Sequence, residues 1–315
     1  MDRRIQLSII SGFLGSGKTT FLQHKIFQKD HSKLCIVINE AGDISIDDVL
    51  LDDKIEKIKI SGGCICCDSN AEFVEKLVDL CGIRNHANVD FYNRIDTILV
   101  ETSGISDPAA IYNSIVNHSI LGRNIVVKGI SVLLDAFDNN TFMSEPLIAK
   151  QLACADEIFI TKADLVSDEV VAQKYNIARY FNPSGLIKSC SNGEIQNLTE
   201  EQTKQFDINF ILRDAKAKRV DNYETFVVNL EEHTDWNNLV IWVSALLSCH
   251  GDKILRLKGI INSPAGRLLI QGVGPNIQKP QRLPKDFHES QNFLVLIGRG
   301  FDKETIKKSA NFLNT

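Results

Sequence analysis

The residues with the clearest chemical meaning form a glycine-rich loop at positions 12–20, Gly-Phe-Leu-Gly-Ser-Gly-Lys-Thr-Thr. The loop follows an apolar strand pattern and precedes a helical pattern that begins at Lys18. Glycines at this spacing let backbone N–H groups surround phosphate oxygens, and the helix N-terminus adds the positive end of its dipole. Lys18 can reach the β- and γ-phosphates, and Thr19 offers its hydroxyl to Mg²⁺. The predicted nucleotide-binding residues of the loop are Gly12, Gly15, Ser16, Gly17, Lys18, Thr19 and Thr20.

A second segment, Glu101-Thr-Ser-Gly104, follows another apolar strand pattern. An acidic residue at such a strand end can hold Mg²⁺ through water, and the amide of Gly104 can bond the γ-phosphate. We therefore predict a Mg²⁺ site at Thr19 and Glu101. The catalytic group would be Lys18, Thr19, Glu101 and Gly104.

A third segment, Thr161-Lys-Ala-Asp164, points to the base of the nucleotide. Asp164 can accept hydrogen bonds from N1–H and N2–H of guanine, a pattern that adenine does not offer, and Lys162 can pack its stem over the base. Asn is common at the first place of this motif, so Thr161 is a departure. Ser189, which opens Ser189-Cys-Ser-Asn-Gly193, is predicted to add backbone contacts to the base. The expected ligands are GTP and GDP.

A cysteine cluster occupies the segment Gly62-Gly-Cys-Ile-Cys-Cys67. Thiolates are soft ligands that suit Zn²⁺, Cu(I) or Co²⁺, so Cys64, Cys66 and Cys67 are candidate metal ligands. Tetrahedral zinc needs a fourth ligand, and Glu40, Asp43, His118 or water could supply it. Two other interpretations stay open, a redox thiol pair and cysteines that pack as small apolar groups.

For His118 and the remaining cysteines, packing in or near the core is the expected role. His118 shares one helix face with Ile111 and Ile115, which is typical of a histidine at the edge of a core. Five cysteines stand alone at core-like positions, where we expect packing: Cys35, Cys81, Cys154, Cys190 and Cys249.

The composition restricts the class of protein. The chain has 315 residues, 24 % charged residues and a net charge of −5, which argues against a nucleic-acid partner. No stretch approaches the roughly 20 apolar residues that span a bilayer, so no membrane partner is expected. The chain enters its first strand almost at once, so we expect no signal peptide and a cytoplasmic protein with reduced cysteines.

The first two-thirds of the chain alternates apolar runs with helical patterns. Continuous Ile, Val and Leu runs predict buried strands of a parallel sheet at 6–11, 33–39, 97–101, 126–135, 157–161 and 186–189. Ser69 with Glu72 predicts a capping box, and Asp107-Pro108 predicts the start of another helix. These patterns indicate a doubly wound, mostly parallel α/β domain over residues 1–212.

The pattern changes in the last third. Apolar and polar residues alternate at 225–230, a helix is predicted from about Asp235 to His250, and strands are predicted at 254–261, 267–273 and 293–298. A short helix follows from about Asp302, and 275–284 is predicted to be a loop. We interpret residues 222–315 as a smaller C-terminal α+β domain with a mostly antiparallel sheet.

Taken together, these segments resemble the CobW-type family of P-loop GTPases, metallochaperones related to the nickel-insertion GTPases of urease and hydrogenase maturation. The resemblance covers essentially the whole chain and depends on the glycine-rich loop, the Cys-x-Cys-Cys at 64–67 and the Thr-Lys-x-Asp at 161–164. Ala41, Asp43 and Ile38 depart from the family, in which Phe, Glu and Glu are usual there. By the same resemblance, His118 falls where some members have a metal-binding histidine.

The resemblance implies a slow, Mg²⁺-dependent GTPase that binds Zn²⁺ or Co²⁺ and delivers it to a client metalloprotein. A homodimer that depends on nucleotide or metal is also an expectation. Our hypothesis is that GTP orders residues 40–43 and 103–104 around the cysteine loop and thereby changes metal affinity. Two alternatives remain: a P-loop NTPase with redox-active cysteines, and a GTPase timing module that acts through a partner-binding C-terminal domain.

Overall fold

The computed structural model describes residues 4–27, 33–39, 56–60, 69–85, 95–138, 145–205, 223–231, 234–264, 266–284, 292–300 and 302–314. The chain divides into two compact units. The first comprises residues 1–180 and 185–217, and the second comprises residues 181–184 and 218–315. The domain limits 1–212 and 222–315 remain a prediction.

In the described part of the first unit, one sheet contains eight strands in the order β3-β2-β4-β1-β5-β6-β7-β8. All neighbouring strands pair in parallel except β7 and β8, which are antiparallel. The predicted parallel α/β sheet is confirmed. The strands are β1 (Ile5–Gly12), β2 (Leu34–Asn39), β3 (Glu56–Ile60), β4 (Thr97–Glu101), β5 (Ile125–Asp135), β6 (Glu157–Thr161), β7 (Leu186–Ser191) and β8 (Glu194–Gln196).

Helices connect the parallel strands. They are α1 (Lys18–Phe27), α2 (Ser69–Asn85), α3 (Pro108–Asn117), α4 (Leu121–Asn124), α5 (Pro146–Cys154) and α6 (Asp168–Phe181). The predicted start of α3 is confirmed, because Asp107 Oδ1 accepts a hydrogen bond of 2.9 Å from Ala109 N and Pro108 occupies the first turn. Helix α2 includes Ser69, so it begins one residue earlier than a capping box at that residue implies.

The position of β1 determines where the site lies. This strand sits between β4 and β5, and the chain leaves it for β2 on one side and returns to β5 on the other. Open parallel sheets bind ligands at the carboxyl ends of the strands beside such a reversal of strand order. Helix α1 is fixed there by its core residues, since the ring of Phe21 lies 4.7 Å from that of Phe159 on β6.

Two strands of the first unit, β3 and β8, were not predicted from the sequence. Strand β3 alternates charged and apolar residues and pairs in parallel with β2 at the edge of the sheet. Its short alternating sequence resembles a half-exposed edge rather than the continuous apolar runs of its neighbours. Strand β8 follows a tight turn in which Asn192 and Gly193 have φ of 50° and 88°. An Asn-Gly pair is the sequence signal of such a hairpin.

The second unit contains an antiparallel sheet in the order β12-β11-β10-β14-β9, with β13 paired to β11. The predicted α+β architecture is confirmed. Its elements are β9 (Tyr223–Leu230), α7 (Trp236–His250), β10 (Ile254–Ser263), β11 (Gly266–Val273), β12 (Asn276–Ile277), β13 (Gln281–Arg282), β14 (Asn292–Arg299) and α8 (Lys303–Ala310). The predicted loop at 275–284 is corrected by β12 and β13, two-residue strands that form because β11 still offers unpaired edge groups.

Helices α7 and α8 supply residues to one core with the strands of that sheet. Leu239 and Val243 of α7 are buried, whereas Val240 is 44 % exposed. Among the described helices of both units, none is long and apolar enough to cross a membrane.

Candidate functional site

The glycine-rich loop leaves β1 through a backbone turn that only glycine fits. Gly12 has φ of 145°, and a Cβ there would lie 2.5 Å from the carbonyl oxygen of Leu133 and 2.7 Å from Ser16 Oγ. Gly15 and Gly17 also have positive φ, 76° and 84°. The loop therefore makes tight turns in a backbone conformation that favours glycine.

Lys18 occupies the inside of this loop. Its ammonium donates hydrogen bonds to the carbonyl oxygens of Gly12 and Phe13, at 3.0 and 3.1 Å, and the residue is only 7 % exposed. A buried positive charge at a helix N-terminus is suited to phosphate. Thr20, in contrast, is exposed on the first turn of α1.

Ser16 carries a polar atom that a ligand could satisfy. Ser16 is 1 % exposed, and its hydroxyl has no hydrogen-bond partner among the described residues. Buried hydroxyls normally have a partner, so an oxygen-bearing ligand beside the loop fits this group. The geometry thus agrees with the predicted phosphate site.

The predicted Mg²⁺ residues are in contact with each other. Thr19 Oγ1 donates a hydrogen bond of 3.0 Å to Glu101 Oε1, although 82 positions separate the two residues. Glu101 ends β4 and is 2 % exposed. A hydroxyl and a carboxylate are hard oxygen ligands of the kind that Mg²⁺ takes in nucleotide sites, so this pair fits the ion.

The segment after β4 is held against the loop by several contacts. Thr102 N bonds the carbonyl of Ile10, and Ser106 N bonds the carbonyl of Ser103, each at 3.0 Å. Gly104 lies so close to the glycine-rich loop that a Cβ there would meet the backbone nitrogen of Leu14 at 2.7 Å. Any side chain at position 104 would push this segment away from the loop.

Thr161 has a role that the sequence prediction missed. Its hydroxyl lies 2.9 Å from the carbonyl oxygen of Ser16, with the carbonyl of Leu134 at 3.3 Å, and the residue is 5 % exposed. This contact ties the end of β6 to the glycine-rich loop. A threonine at this position is therefore a structural anchor between the base motif and the phosphate loop.

Lys162 is fixed by a residue that sequence reasoning did not identify, Asp135. Lys162 has φ of 57°, and its Nζ bonds Asp135 Oδ2 at 2.5 Å. The other carboxylate oxygen of Asp135 accepts from Phe137 N at 2.9 Å. Asp135 is the last residue of β5 and pairs in register with Thr161, so an acidic residue at that strand end was the available signal.

Asp164 presents its carboxylate at the surface beside the end of β7. The residue is exposed in a 3₁₀ turn at Ala163–Leu165. Burial raises the pKa of the Cys190 thiol, and the negative charge of Asp164 acts in the same direction. The turn that carries Asp164 packs against β7.

The segment of Ser189 differs from its prediction. Strand β7 continues to Ser191, two residues beyond its predicted end at Ser189, and the Ser189 hydroxyl donates to the carbonyl of Gln196 on β8 at 3.3 Å. The turn that follows is Asn192-Gly193, and a Cβ on Gly193 would lie 2.4 Å from His24 Cβ of α1. A base contact through the backbone of Ser189 remains a prediction.

The predicted transition-metal ligands fall mostly in segments outside the described residues. Cys64, Cys66, Cys67, Glu40 and Asp43 lie outside the described residues. Within the described ranges, no group of three His, Cys, Asp or Glu side chains could hold a metal ion.

His118 is described and lies at the end of α3. It is half-buried, and its Nδ1 accepts a long hydrogen bond of 3.5 Å from Leu121 N. Ligation through Nε2 would leave the ring proton on Nδ1, so this hydrogen bond would have to be given up. The four lone cysteines Cys35, Cys81, Cys154 and Cys190 are buried as expected, whereas Cys249 is exposed and corrects that expectation.

Two protein-family models match this chain. The nucleotide-binding domain model of CobW, HypB and UreG matches residues 6–187, and the C-terminal domain model of the cobalamin synthesis protein CobW matches residues 223–311. The chain belongs to the CobW/HypB/UreG family. The recognition made from the sequence is confirmed, and the glycine-rich loop, Glu101 and Thr161–Asp164 lie within the matched nucleotide-binding domain.

Individual relatives extend the match over most of the chain. The zinc chaperone YjiA of Escherichia coli is 29 % identical over 96 % of both chains. The zinc-regulated GTPase metalloprotein activator 1 of Schizosaccharomyces pombe is 24 % identical over 95 % of this chain and 83 % of its own. The crystal structure of Zn(II)-bound YjiA GTPase from E. coli covers 100 % of both chains with a TM-score of 0.69 and 23 % identity, which confirms the fold.

Proposed function

We propose that this protein is a GTP-binding and GTP-hydrolysing metallochaperone. It would bind Zn²⁺, or alternatively Co²⁺, and couple the nucleotide state to delivery of the metal to a client metalloprotein. The observation that carries the proposal is the contact of Thr19 with Glu101 beside the buried ammonium of Lys18. This contact joins two distant segments into one site for a metal–triphosphate complex.

The phosphate end supports triphosphate chemistry. Lys18 lies within the loop to meet the β- and γ-phosphates, and the Gly104 amide would meet the γ-phosphate from the segment after β4. Mg²⁺ bound through Thr19 and Glu101 would neutralise charge on the transferred phosphoryl group. The residues assigned to the site include no arginine, so we expect slow turnover that an arginine from the client could accelerate.

The base end supports guanine. Asp164 is exposed in the turn after β6, and Asp135 holds the ammonium of Lys162, whose stem could then cover a base. Two N–H groups of guanine match the two oxygens of a carboxylate, whereas adenine offers an acceptor at N1. We therefore expect GTP and GDP to bind in preference to ATP and ADP.

The metal part of the proposal depends on the sequence and on the relatives. Cys64, Cys66 and Cys67 are the candidate ligands of Zn²⁺, with Glu40 and His118 as candidates for the fourth. YjiA and CobW, both named zinc chaperones, match this chain over most of its length. Zn²⁺ is the cargo in this proposal, and Mg²⁺ is the ion of the hydrolysis site.

The proposal is tested by measuring whether the GTP site and the Zn²⁺ site affect each other. GTP affinity and turnover would be measured with and without Zn²⁺, first for the wild-type protein and then for Cys66→Ser. We expect Zn²⁺ to change GTP affinity by about 5-fold to 150-fold, and GTP to change Zn²⁺ affinity by the same factor. The Cys66→Ser variant should lose this dependence while it still binds GTP.

A matched control is Cys249→Ser, because Cys249 is an exposed cysteine of α7. It should behave as the wild-type protein in every measurement. Identical GTP affinity and turnover in all these samples would remove the coupling and leave a GTPase. Displacement of GTP by an equal concentration of ATP would contradict the guanine site itself.

A further inference from the structure

Gln151 is a polar residue in the buried part of α5. The residue is completely buried, and its side-chain amide points toward the segment that follows β4. Its Nε2 donates hydrogen bonds to the carbonyl oxygens of Gly104, at 3.3 Å, and Ser106, at 3.0 Å. One side chain thus holds the two carbonyls on either side of Ile105.

The orientation of this amide follows from the chemistry of its partners. Two carbonyl oxygens can only accept hydrogen bonds, so the NH₂ group of Gln151 must face them. Its Oε1 then accepts no hydrogen bond from the described residues. Burying an amide oxygen in this way is unfavourable, and an apolar side chain of the same size would avoid the penalty. Packing of α5 alone therefore does not account for an amide at position 151.

The segment that Gln151 holds is the one that would sense the γ-phosphate. A hydrogen bond from Ser106 N to the Ser103 carbonyl closes a turn around Gly104, and Gly104 lies against Leu14 of the glycine-rich loop. The same helix also contacts the next residue, because Lys150 Nζ bonds Asp107 Oδ2 at 2.9 Å. Helix α5 therefore supports the segment at three of its residues, Gly104, Ser106 and Asp107.

We propose that Gln151 is a positioning residue that fixes the Gly104 amide at the distance from the glycine-rich loop at which it meets a γ-phosphate. This inference rests on the proposed GTP site. Gln151 touches no nucleotide in this proposal and acts through the backbone of residues 104–106. Its effect is therefore confined to ligands that carry a γ-phosphate.

The test is Gln151→Met, which keeps the length and volume of the side chain and removes the amide. Calorimetry would give the affinities of the wild-type protein and the variant for GDP and for a non-hydrolysable GTP analogue. We expect the GTP analogue to bind about fivefold to tenfold more weakly, as the loss of a hydrogen-bonded position implies. GDP affinity should stay within about twofold, because GDP has no γ-phosphate to meet Gly104.

The matched control is Leu152→Ala in the next position of α5, a completely buried side chain that makes no side-chain hydrogen bond. It should lower thermal stability and affect both nucleotides alike. Should Gln151→Met fold poorly, Gln151→Asn retains an amide that is one methylene too short to reach both carbonyls, and it should show the same selective loss. Equal weakening of both nucleotides, or no change in either, would overturn the positioning role.

These measurements distinguish failure of the Gln151 role from failure of the proposed GTP site. A wild-type protein that binds no guanine nucleotide would refute both. A wild-type protein that binds them, together with a Gln151→Met variant whose ratio of GTP-analogue to GDP affinity is unchanged, would refute the role of Gln151 and leave the GTP site intact.

Discussion

The two ends of the nucleotide site are built in different ways. At the phosphate end, Lys18, Thr19 and Glu101 contact one another or the loop backbone, and Lys18 and Glu101 are almost completely buried. At the base end, Asp164 is exposed and its neighbour Lys162 is held by the single carboxylate of Asp135. Contacts across several strands preorganise the proposed phosphate end, whereas in our proposal the choice of base depends on one surface carboxylate. Changes at the first end should affect all nucleotides, and changes at the second should affect only guanine.

The largest effect is expected for Lys18→Met. The variant removes an ammonium that would bond two phosphates, and each hydrogen bond to a charged group contributes about 1.5–3 kcal/mol, so affinity should fall by about 100-fold or more. Calorimetry with GTP, GDP and ITP should show the same loss for each. Lys25→Met is the control, because Lys25 lies over the rings of Phe21 and Phe159 of α1 and β6 instead. A loss confined to guanine nucleotides would show that Lys18 does not act at the phosphates.

Next in size is Glu101→Gln, which keeps the hydrogen bond from Thr19 and removes the charge. Turnover of GTP should fall by about 10-fold to 100-fold, because the metal loses an anionic support. Hydrolysis measured over a Mg²⁺ titration would show a higher requirement for the ion. GDP affinity measured in the absence of Mg²⁺ should be unchanged. Wild-type turnover in this variant would remove Glu101 from the hydrolysis site.

A change at the base end, Asp164→Asn, should act selectively. Replacing one carboxylate oxygen by an NH₂ group removes an acceptor for guanine, so GTP affinity should fall by about tenfold. ATP affinity should change little, and thermal stability should be that of the wild-type protein because the residue is exposed. Competition between GTP and ATP on the variant would measure this directly. A parallel loss of both affinities would place Asp164 outside the base site.

Thr161→Val should have a smaller effect than the three preceding variants, and it tests which end of the site residue 161 supports. Valine has the same shape but cannot donate to the Ser16 carbonyl, so unfolding free energy should fall by about 1 kcal/mol. Because this hydroxyl anchors the phosphate loop, all nucleotides should bind a few-fold more weakly, although residue 161 belongs to the base motif. Thermal denaturation and calorimetry with GTP and ATP would test this. A selective effect on guanine would assign Thr161 to the base end instead.

The parts of the site that could be predicted from the sequence are short segments, and the residues that suggest a role in each segment are neighbours in the chain. The glycine-rich loop, Glu101 and Thr161-Lys-Ala-Asp164 follow apolar strands, and parallel strands bring their carboxyl ends to one edge of a sheet. The cap at Asp107 could be predicted for the same reason, since its partner Ala109 is two residues away.

The parts that were missed are contacts between segments far apart in the chain. Gln151 lies 47 residues from Gly104, and Thr161 lies 145 residues from Ser16. A glutamine inside an apolar helix and a threonine at a strand end carry no local signal of such partners. The edge strand β3 and the two-residue strands β12 and β13 were missed because short pairing depends on the neighbouring strand more than on its own residues.

The glycine spacing and the apolar runs are local signals, so they were enough to indicate which residue types could meet a nucleotide and that these residues follow strands. Which of these residues contact one another depends on the fold. Packing of β1 between β4 and β5 brings Thr19 to Glu101 and Thr161 to Ser16, and it turns Gln151 toward Gly104. Hydrogen bonds act over about 3 Å, so such pairs exist only after the whole sheet has assembled.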